Sequence, residues 1–147
     1  MLFYELIANR VLMTCMLAWF IAQALKVLFY YIIERRWDIT RMFGLGGMPS
    51  SHSAVVCALS TAVGVSRGFY SPEFAIAFVL ATIVMTDAAG VRRAAGKQAA
   101  LINKIVRELT EEGRGLTHET LKELLGHSPF EVLIGALLGV LIAVIIM

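Results

Sequence analysis

Residues 46–53 read GGMPSSHS and lie between two apolar segments. The two glycines allow a positive φ or a close approach of the backbone to a ligand. Pro49 fixes φ just ahead of a helix, and the serines can cap the free N–H groups of that helix. A helix N-terminus attracts anions, and His52 would lie beside it as a proton donor or acceptor. We therefore interpret the stretch as a phosphate site at a membrane surface.

The composition of the chain is that of a membrane protein. Of its 147 residues, 59% are hydrophobic and 16% are charged, and the mean hydropathy is +0.76. Long runs carry almost no charge, which excludes a soluble globular protein and is typical of chains that cross a bilayer several times. The sequence predicts a single integral membrane domain over residues 1–147.

Apolar runs predict about four membrane-spanning helices. They are expected at Arg10–Glu34, at Ser50–Val65, from Ser71 through the apolar residues 74–85, and at Pro129–Met147. The fold class is therefore predicted to be all-α: a polytopic membrane helix bundle with about four transmembrane helices plus an amphipathic cytoplasmic helix. In that topology the loops after the first and third spans share one side of the membrane.

Three further segments are predicted outside the spans. Residues 1–9 form a mixed segment that we expect at the membrane interface, and residues 117–125 form a short helix after a turn at 113–115. Residues 97–112 are amphipathic, because their apolar side chains share one stripe: Ile102, Ile105, Val106 and Leu109. We expect this amphipathic segment to lie along the membrane surface or to project from it.

The basic residues orient the bundle. Ten of them lie in the two loops that share a side: Arg35, Arg36, Arg41, Arg92, Arg93, Lys97, Lys104, Arg107, Arg114 and Lys122. Only Arg10 and Arg67 lie on the opposite side, and Lys26 lies within a span. Because cytoplasmic loops carry an excess of Lys and Arg, the loop side is predicted to be cytoplasmic and both termini to be outside.

Three polar clusters fall on this cytoplasmic side. Residues 46–53 open the second span, residues 87–93 close the third, and residues 126–131 open the fourth. They would bring six residues to one depth: His52, His127, Asp87, Glu131, Arg92 and Arg93. The sequence therefore predicts one polar site built from three separate segments.

Several of these residues also have a simpler reading. His52 can form a hydrogen bond at a helix start, Ser128 and Glu131 form an S-x-x-E capping box, and the arginine pair at 92–93 fits the positive-inside rule. Asp87 and Lys26 are harder to explain in this way. A charge inside a span costs about 2.5–3.5 kcal/mol on insertion scales, so we expect each to have a partner or a role in the site.

The sequence resembles the divergent branch of the type-2 phosphatidic acid phosphatase superfamily, which is related to vanadium-dependent haloperoxidases. The matching stretches are GGMPSSHSA (46–54), DAAGVRRAAGKQA (87–99) and LKELLGHSPFEVLIGALLG (121–139), together with Gln23 and Lys26. Residues 49–52 resemble the P-S-G-H segment of the superfamily, with Ser51 in place of glycine. Residues 127–131 resemble its H-x-x-x-D segment, with Glu131 in place of aspartate.

This resemblance implies hydrolysis of a lipid phosphate monoester, of the phosphatidylglycerophosphate or phosphatidic acid type, without a metal or other cofactor. His127 would attack phosphorus to form a phosphohistidine, Glu131 would orient and polarise His127, and His52 would protonate the leaving alkoxide. Asp87 is counted with them as a catalytic candidate. The candidates for binding the substrate phosphate are Lys26, Gly47, Ser50, Ser51, Arg92 and Arg93.

The implied partners are a lipid phosphate and the membrane, here the bacterial cytoplasmic membrane, with no nucleic acid. The chain is shorter than the usual six-span members of the superfamily. A homodimer, or a smaller bundle that uses the amphipathic helix as a wall, would supply the missing surface.

The sequence also departs from the pattern of the superfamily. Leu121 stands where the superfamily has an arginine six residues before the nucleophilic histidine, and Arg92 and Arg93 are expected to replace that arginine. The spacing after Lys26 is longer than usual, which leaves Arg35, Arg36 and Arg41 as alternative basic partners.

Two other readings stay open. One is a non-catalytic membrane protein that binds or transports a lipid headgroup or another anion. The other is a metal site formed by four side chains: Asp87, His52, His127 and Glu131.

Overall fold

The computed structural model describes residues 1–35, 37, 47–111 and 126–147. Its six helices are α1 (Leu2–Ala8), α2 (Arg10–Glu34), α3 (Ser51–Arg67), α4 (Pro72–Ala89), α5 (Val91–Glu111) and α6 (Pro129–Ile146). These described ranges contain no β-strand, and the predicted all-α class is confirmed. The turn predicted at 113–115 and the short helix predicted at 117–125 lie outside the described residues.

Capping side chains fix where four of these helices begin. Asn9 accepts a hydrogen bond from Leu12 N at α2, Ser50 from Ser53 N at α3, Ser71 from Phe74 N at α4, and Ser128 from Glu131 N at α6. Such side chains satisfy N–H groups that have no acceptor in the first turn of a helix. Because these signals are local, the predicted bounds of α2, α3 and α6 agree with the structure to within two residues.

Three helical segments of the described chain are long and apolar enough to cross a membrane: α2, the run Pro72–Arg107 that begins with α4, and α6. The prediction was about four, and the difference lies in α3. This helix has 17 residues, so it is about 25 Å long at 1.5 Å per residue, and serines and alanines make up much of it. The membrane-bundle class is confirmed, and three helical segments of the described chain, instead of about four, are long and apolar enough to span the membrane.

The composition of α3 follows from its central position. It packs against α2, α4 and α6, and its buried side chains are small, including Ser53, Ala54, Ala58 and Ala62. Helices in lipid gain no hydrophobic stabilisation from meeting one another, so small side chains that allow close van der Waals contact hold them together. The small, weakly apolar side chains of α3 thus suit a helix that packs against three others.

Two glycines set the contact between α3 and α6. A Cβ atom at Gly135 would meet the carbonyl oxygen of Ser50, and one at Gly139 would meet that of Ala54. The second contact lies four residues, or about one turn, further toward the C-terminus than the first on both helices, so the two helices run parallel. The backbone of α6 thus lies directly against the backbone of α3.

The helices α2 and α4 run antiparallel to these two. At one end of the bundle, the Arg10 Nη2 group donates to the carbonyl oxygen of Ile146 at 2.6 Å, which pairs the start of α2 with the end of α6. Cys57 Sγ lies 3.6 Å from Met85 Sδ, which pairs the first half of α3 with the last part of α4. The end of α2, the start of α3, the end of α4 and the start of α6 consequently lie at the other end of the bundle.

The amphipathic segment begins earlier than predicted, at Val91 directly after Gly90, where α4 ends. Among the described helices, α5 contacts only α4. It therefore does not act as a wall that closes the bundle within the described part of one chain. Within the segment 1–9, which is predicted to lie at the membrane interface, Leu2–Ala8 form the helix α1.

Candidate functional site

The start of α3 is a tightly held turn. Gly47 has φ +84°, a backbone conformation that side chains with a Cβ rarely adopt, whereas a Cβ there would have nothing within 4 Å. Glycine is thus required by the backbone angle and not by a close neighbour. Pro49 and Ser50 are fully buried, and the Ser50 Oγ atom accepts hydrogen bonds from Ser53 N at 3.4 Å and Ser53 Oγ at 3.0 Å.

The start of α6 carries the predicted capping box. Ser128 N donates to Glu131 Oε2 at 2.9 Å, and Glu131 N donates to Ser128 Oγ at 3.3 Å. The simpler reading of Glu131 is confirmed, although it leaves the second carboxylate oxygen for other contacts. A backbone bond of 3.1 Å from Ser50 N to the Glu131 carbonyl oxygen joins this first turn to the cap of α3.

This link brings the two candidate histidines together. The ring centroids of His52 and His127 are 6.2 Å apart, and the ring planes are nearly perpendicular at 80°. His127 is 4% exposed, whereas His52 is exposed. Residues that are 75 positions apart in the sequence therefore form one pair with one buried and one accessible imidazole.

Lys26 reaches the same place from α2. Its side chain is 6% exposed, and its Nζ atom donates to Ser51 Oγ at 3.2 Å. The Glu131 carboxylate attracts the Lys26 ammonium group. The expectation that this charge within a span has a partner is confirmed, and Ser51, which stands at the glycine position of the superfamily, supplies the hydrogen bond.

Gln23 belongs to the same buried region but was not among the predicted site residues. It lies one turn before Lys26 on the same face of α2 and is 5% exposed. Its Oε1 atom is buried and has no hydrogen-bond partner in the described part of the chain. The signal in the sequence was a polar residue three positions from a lysine in an otherwise apolar helix.

The remaining candidates belong to α4 and α5. Asp87 is half-buried in the last turn of α4, at the same end of the bundle as the start of α3. Arg93 is exposed on α5, whose described contacts are with α4 alone, and the Arg92 side chain lies outside the described structure. The replacement of the missing arginine by this pair stays a prediction.

Of the alternative basic partners for Lys26, Arg35 ends α2 in the left-handed region at φ +54° and is exposed. Arg36, Arg41 and the departure position Leu121 lie outside the described residues, as does Gly46. Among the side chains that the structure describes, no three His, Cys, Asp or Glu residues are grouped so that they could hold a metal ion.

The arrangement suits an anion. The N-termini of α3 and α6 meet at one point, and each carries N–H groups with partial positive charge in its first turn. Lys26, when protonated, adds a positive charge in a buried region, where an electrostatic interaction is stronger than in solution. Two imidazoles at the same place can exchange protons near neutral pH, and a neutral imidazole can act as a nucleophile.

Comparisons with known proteins agree with the resemblance noted in the sequence. Residues 7–142 match the family described as "Divergent PAP2 family". The "Uncharacterized membrane protein YuiD" of Bacillus subtilis (strain 168) is 41% identical over 152 residues, which cover 97% of this chain and 96% of that protein. No solved structure matches the chain. The chain therefore belongs to the Divergent PAP2 family and is a PAP2-related integral membrane protein.

Proposed function

We propose that this protein is a metal-independent phosphatase that hydrolyses a lipid phosphate monoester through a phosphohistidine intermediate. The observation that carries the proposal is the pair of imidazole rings of His52 and His127, 6.2 Å apart at the adjoining N-termini of two helices. The membership of a PAP2-related family supports it.

The proposed reaction has two steps. In the first, a nitrogen of His127 forms a bond to phosphorus while the bond from phosphorus to the lipid oxygen breaks. That oxygen leaves with the electron pair and takes a proton from protonated His52, which releases the lipid alcohol. In the second step, water gives a proton to the now neutral His52 and attacks phosphorus, the nitrogen–phosphorus bond breaks, and inorganic phosphate leaves.

This division of roles sets a minimum distance between the reacting nitrogens of the two rings. The nucleophile and the leaving group lie on opposite sides of phosphorus in the transition state. A nucleophile starts about 3–3.5 Å from the atom it attacks, and a hydrogen bond to the leaving oxygen spans about 2.7–3.0 Å. The phosphorus–oxygen bond adds to these two distances, so the two reacting nitrogens lie more than about 6 Å apart in an in-line arrangement. Rings whose centroids are 6.2 Å apart must therefore turn their reacting nitrogens away from each other, or move apart, when the substrate binds.

The residues around the pair have supporting roles in the proposal. Lys26, Ser50, Ser51 and the first-turn N–H groups stabilise the charge on the phosphoryl oxygens. Glu131 is a positioning residue, because its carboxylate holds the backbone N–H of Ser128, the neighbour of His127. Asp87 remains a candidate acid at the same end of the bundle.

The proposed substrate is a lipid of the cytoplasmic leaflet. The excess of basic residues in the loops of this end of the bundle supports a cytoplasmic position for it. The outer surfaces of the spanning helices carry large exposed apolar side chains such as Phe20, Ile83 and Leu137, so a lipid can approach the bundle from within the bilayer. Phosphatidylglycerophosphate and phosphatidic acid fit this location.

The test is phosphate release from a panel of lipid phosphates in detergent. His127→Ala is expected to abolish turnover, and His52→Ala is expected to lower kcat by about 10²–10⁴, the usual contribution of a general acid. His118→Ala is the matched control, because this third histidine belongs to none of the clusters of the proposed site. Equal activity in the wild type, His127→Ala and His52→Ala would refute the mechanism.

A non-catalytic binder or transporter of a headgroup or another anion is the second candidate, and a specific observation favours it. Ser51 occupies the glycine position of the P-S-G-H segment, and its hydroxyl already accepts the hydrogen bond from Lys26. Vanadate separates the two functions because it mimics the trigonal-bipyramidal phosphoryl group. In an enzyme it should bind covalently to His127, whereas a binder should show only weak, displaceable association.

A further inference from the structure

The helix α5 presents an apolar face that the described part of the bundle does not cover. Of the described helices it contacts only α4. Val91 is 67% exposed and Ile105 is 47% exposed, and Leu101 and Ile102 are exposed as well. On a helical wheel of 100° per residue these four residues share one half of the helix surface. This face is therefore left open within the described part of the chain.

The opposite half of α5 is basic. Residues 91–111 include five basic and two acidic residues, and the basic ones are Arg92, Arg93, Lys97, Lys104 and Arg107. Of the basic side chains that the structure describes, all are exposed. An amphipathic helix with an apolar half and a basic half has the charge pattern that fits an anionic lipid surface.

The position of α5 brings it to that surface. The 18 residues of α4 are about 27 Å long at 1.5 Å per residue, close to the thickness of the hydrocarbon core. Exposed apolar side chains such as Ile76 and Ile83 cover α4. Gly90 interrupts the helix with φ −105° and ψ −82°, and α5 begins at the next residue. The amphipathic helix thus starts where the spanning helix reaches the boundary of the bilayer.

We propose that α5 lies in the interface of the cytoplasmic leaflet, with its apolar half inserted among the lipids and its basic half bound to anionic headgroups. The partner is the anionic lipid surface itself. Binding does not depend on whether the site between His52 and His127 hydrolyses phosphate. The basic residues give a preference for anionic over neutral lipid, whereas the apolar half alone would bind both.

The experiment uses the full-length protein in nanodiscs of phosphatidylcholine, with and without phosphatidylglycerol. An environment-sensitive fluorophore is attached to Ile102→Cys or Ile105→Cys, and accessibility is measured with a water-soluble quencher. Lys104→Cys and Arg107→Cys are the matched controls on the basic half. Cys15 and Cys57 are buried, so wild type treated in the same way gives the background labelling.

The proposal expects protection at positions 102 and 105 and accessibility at 104 and 107, with stronger protection when phosphatidylglycerol is present. Each basic residue near an anionic surface is expected to contribute about fivefold to the ratio of docked to undocked helix. The variant Lys97→Gln/Lys104→Gln/Arg107→Gln, labelled at 105, should then lower that ratio on the order of a hundredfold. Arg67→Gln, which removes a charge from the far end of α3, should leave it unchanged.

Three results would overturn the proposal. Accessibility at all four positions would mean that α5 projects into water. Equal protection with and without phosphatidylglycerol would show that α5 does not bind anionic headgroups in preference to neutral ones. Protection at position 105 that disappears on dilution to one chain per nanodisc, or a disulfide between two Ile105→Cys chains, would show that a second copy of the protein covers the apolar half.

Discussion

The substitution Gly139→Ala tests the contact between α3 and α6 on which the site depends. The added Cβ would meet the carbonyl oxygen of Ala54 and would lie 2.9 Å from its carbonyl carbon and 3.0 Å from its Cα. All three atoms belong to the backbone of α3, so no side-chain rotation can relieve the overlap. The two helices must move apart, and every contact along their length is weakened.

The size of the effect follows from two opposing terms. Adding a methyl group to a packed interior typically costs about 1–3 kcal/mol, and a rigid backbone neighbour puts this case near the upper limit. Alanine is more favourable than glycine within a helix by about 1 kcal/mol. The expected net loss is about 2 kcal/mol, or a factor of about thirty in the ratio of folded to unfolded protein.

The assay is unfolding of the purified protein in mixed micelles with increasing sodium dodecyl sulfate, followed by circular dichroism. Leu137→Ala is the matched control, because Leu137 lies between the two glycines on α6 but is 58% exposed on the outer surface. We expect the transition of Gly139→Ala to shift to lower dodecyl sulfate and that of Leu137→Ala to stay near wild type. A Gly139→Ala protein as stable as wild type would show that the two backbones are not in contact.

Three further predictions concern polar residues at or near the candidate site. Lys26→Met keeps the length of the side chain but removes its amine and its hydrogen bond to Ser51. Because a hydrogen bond to a charged group contributes about 1.5–3 kcal/mol, calorimetry should show that the affinity for vanadate falls about 10- to 150-fold. Unchanged affinity would exclude Lys26 from the anion site. Gln23→Leu removes a buried oxygen that has no hydrogen-bond partner among the described residues, so the free energy of unfolding should rise by about 1–2 kcal/mol. The transition should then move to higher dodecyl sulfate, and a shift to lower dodecyl sulfate would mean that Gln23 has a stabilising partner. Ser128→Ala removes one half of the capping box, and we expect a loss of about 1 kcal/mol in stability. If the wild type releases phosphate, the variant should release it more slowly. Unchanged turnover would show that the capping box does not contribute to the reaction.

Much of the fold was predictable because its signals are local. The bounds of α2 came from one apolar run, and the starts of α3, α4 and α6 came from a serine that caps each helix. The meeting of His52 and His127 at one end of the bundle followed from counting the spans, since each histidine stands at the start of a helix on the same side. Hydropathy and caps depend on neighbours within about one turn, and the sequence displays those neighbours directly.

What the sequence by itself determined, then, is an all-α membrane protein of the Divergent PAP2 family with two histidines at the start of two helices. The tertiary structure decided which helix is central, since α3 packs against α2, α4 and α6. It also decided that Lys26 donates to Ser51 and that Gln23 is buried one turn away. These outcomes depend on which faces of distant helices meet, and the closeness of that meeting is set by Gly135 and Gly139 against the backbone of α3.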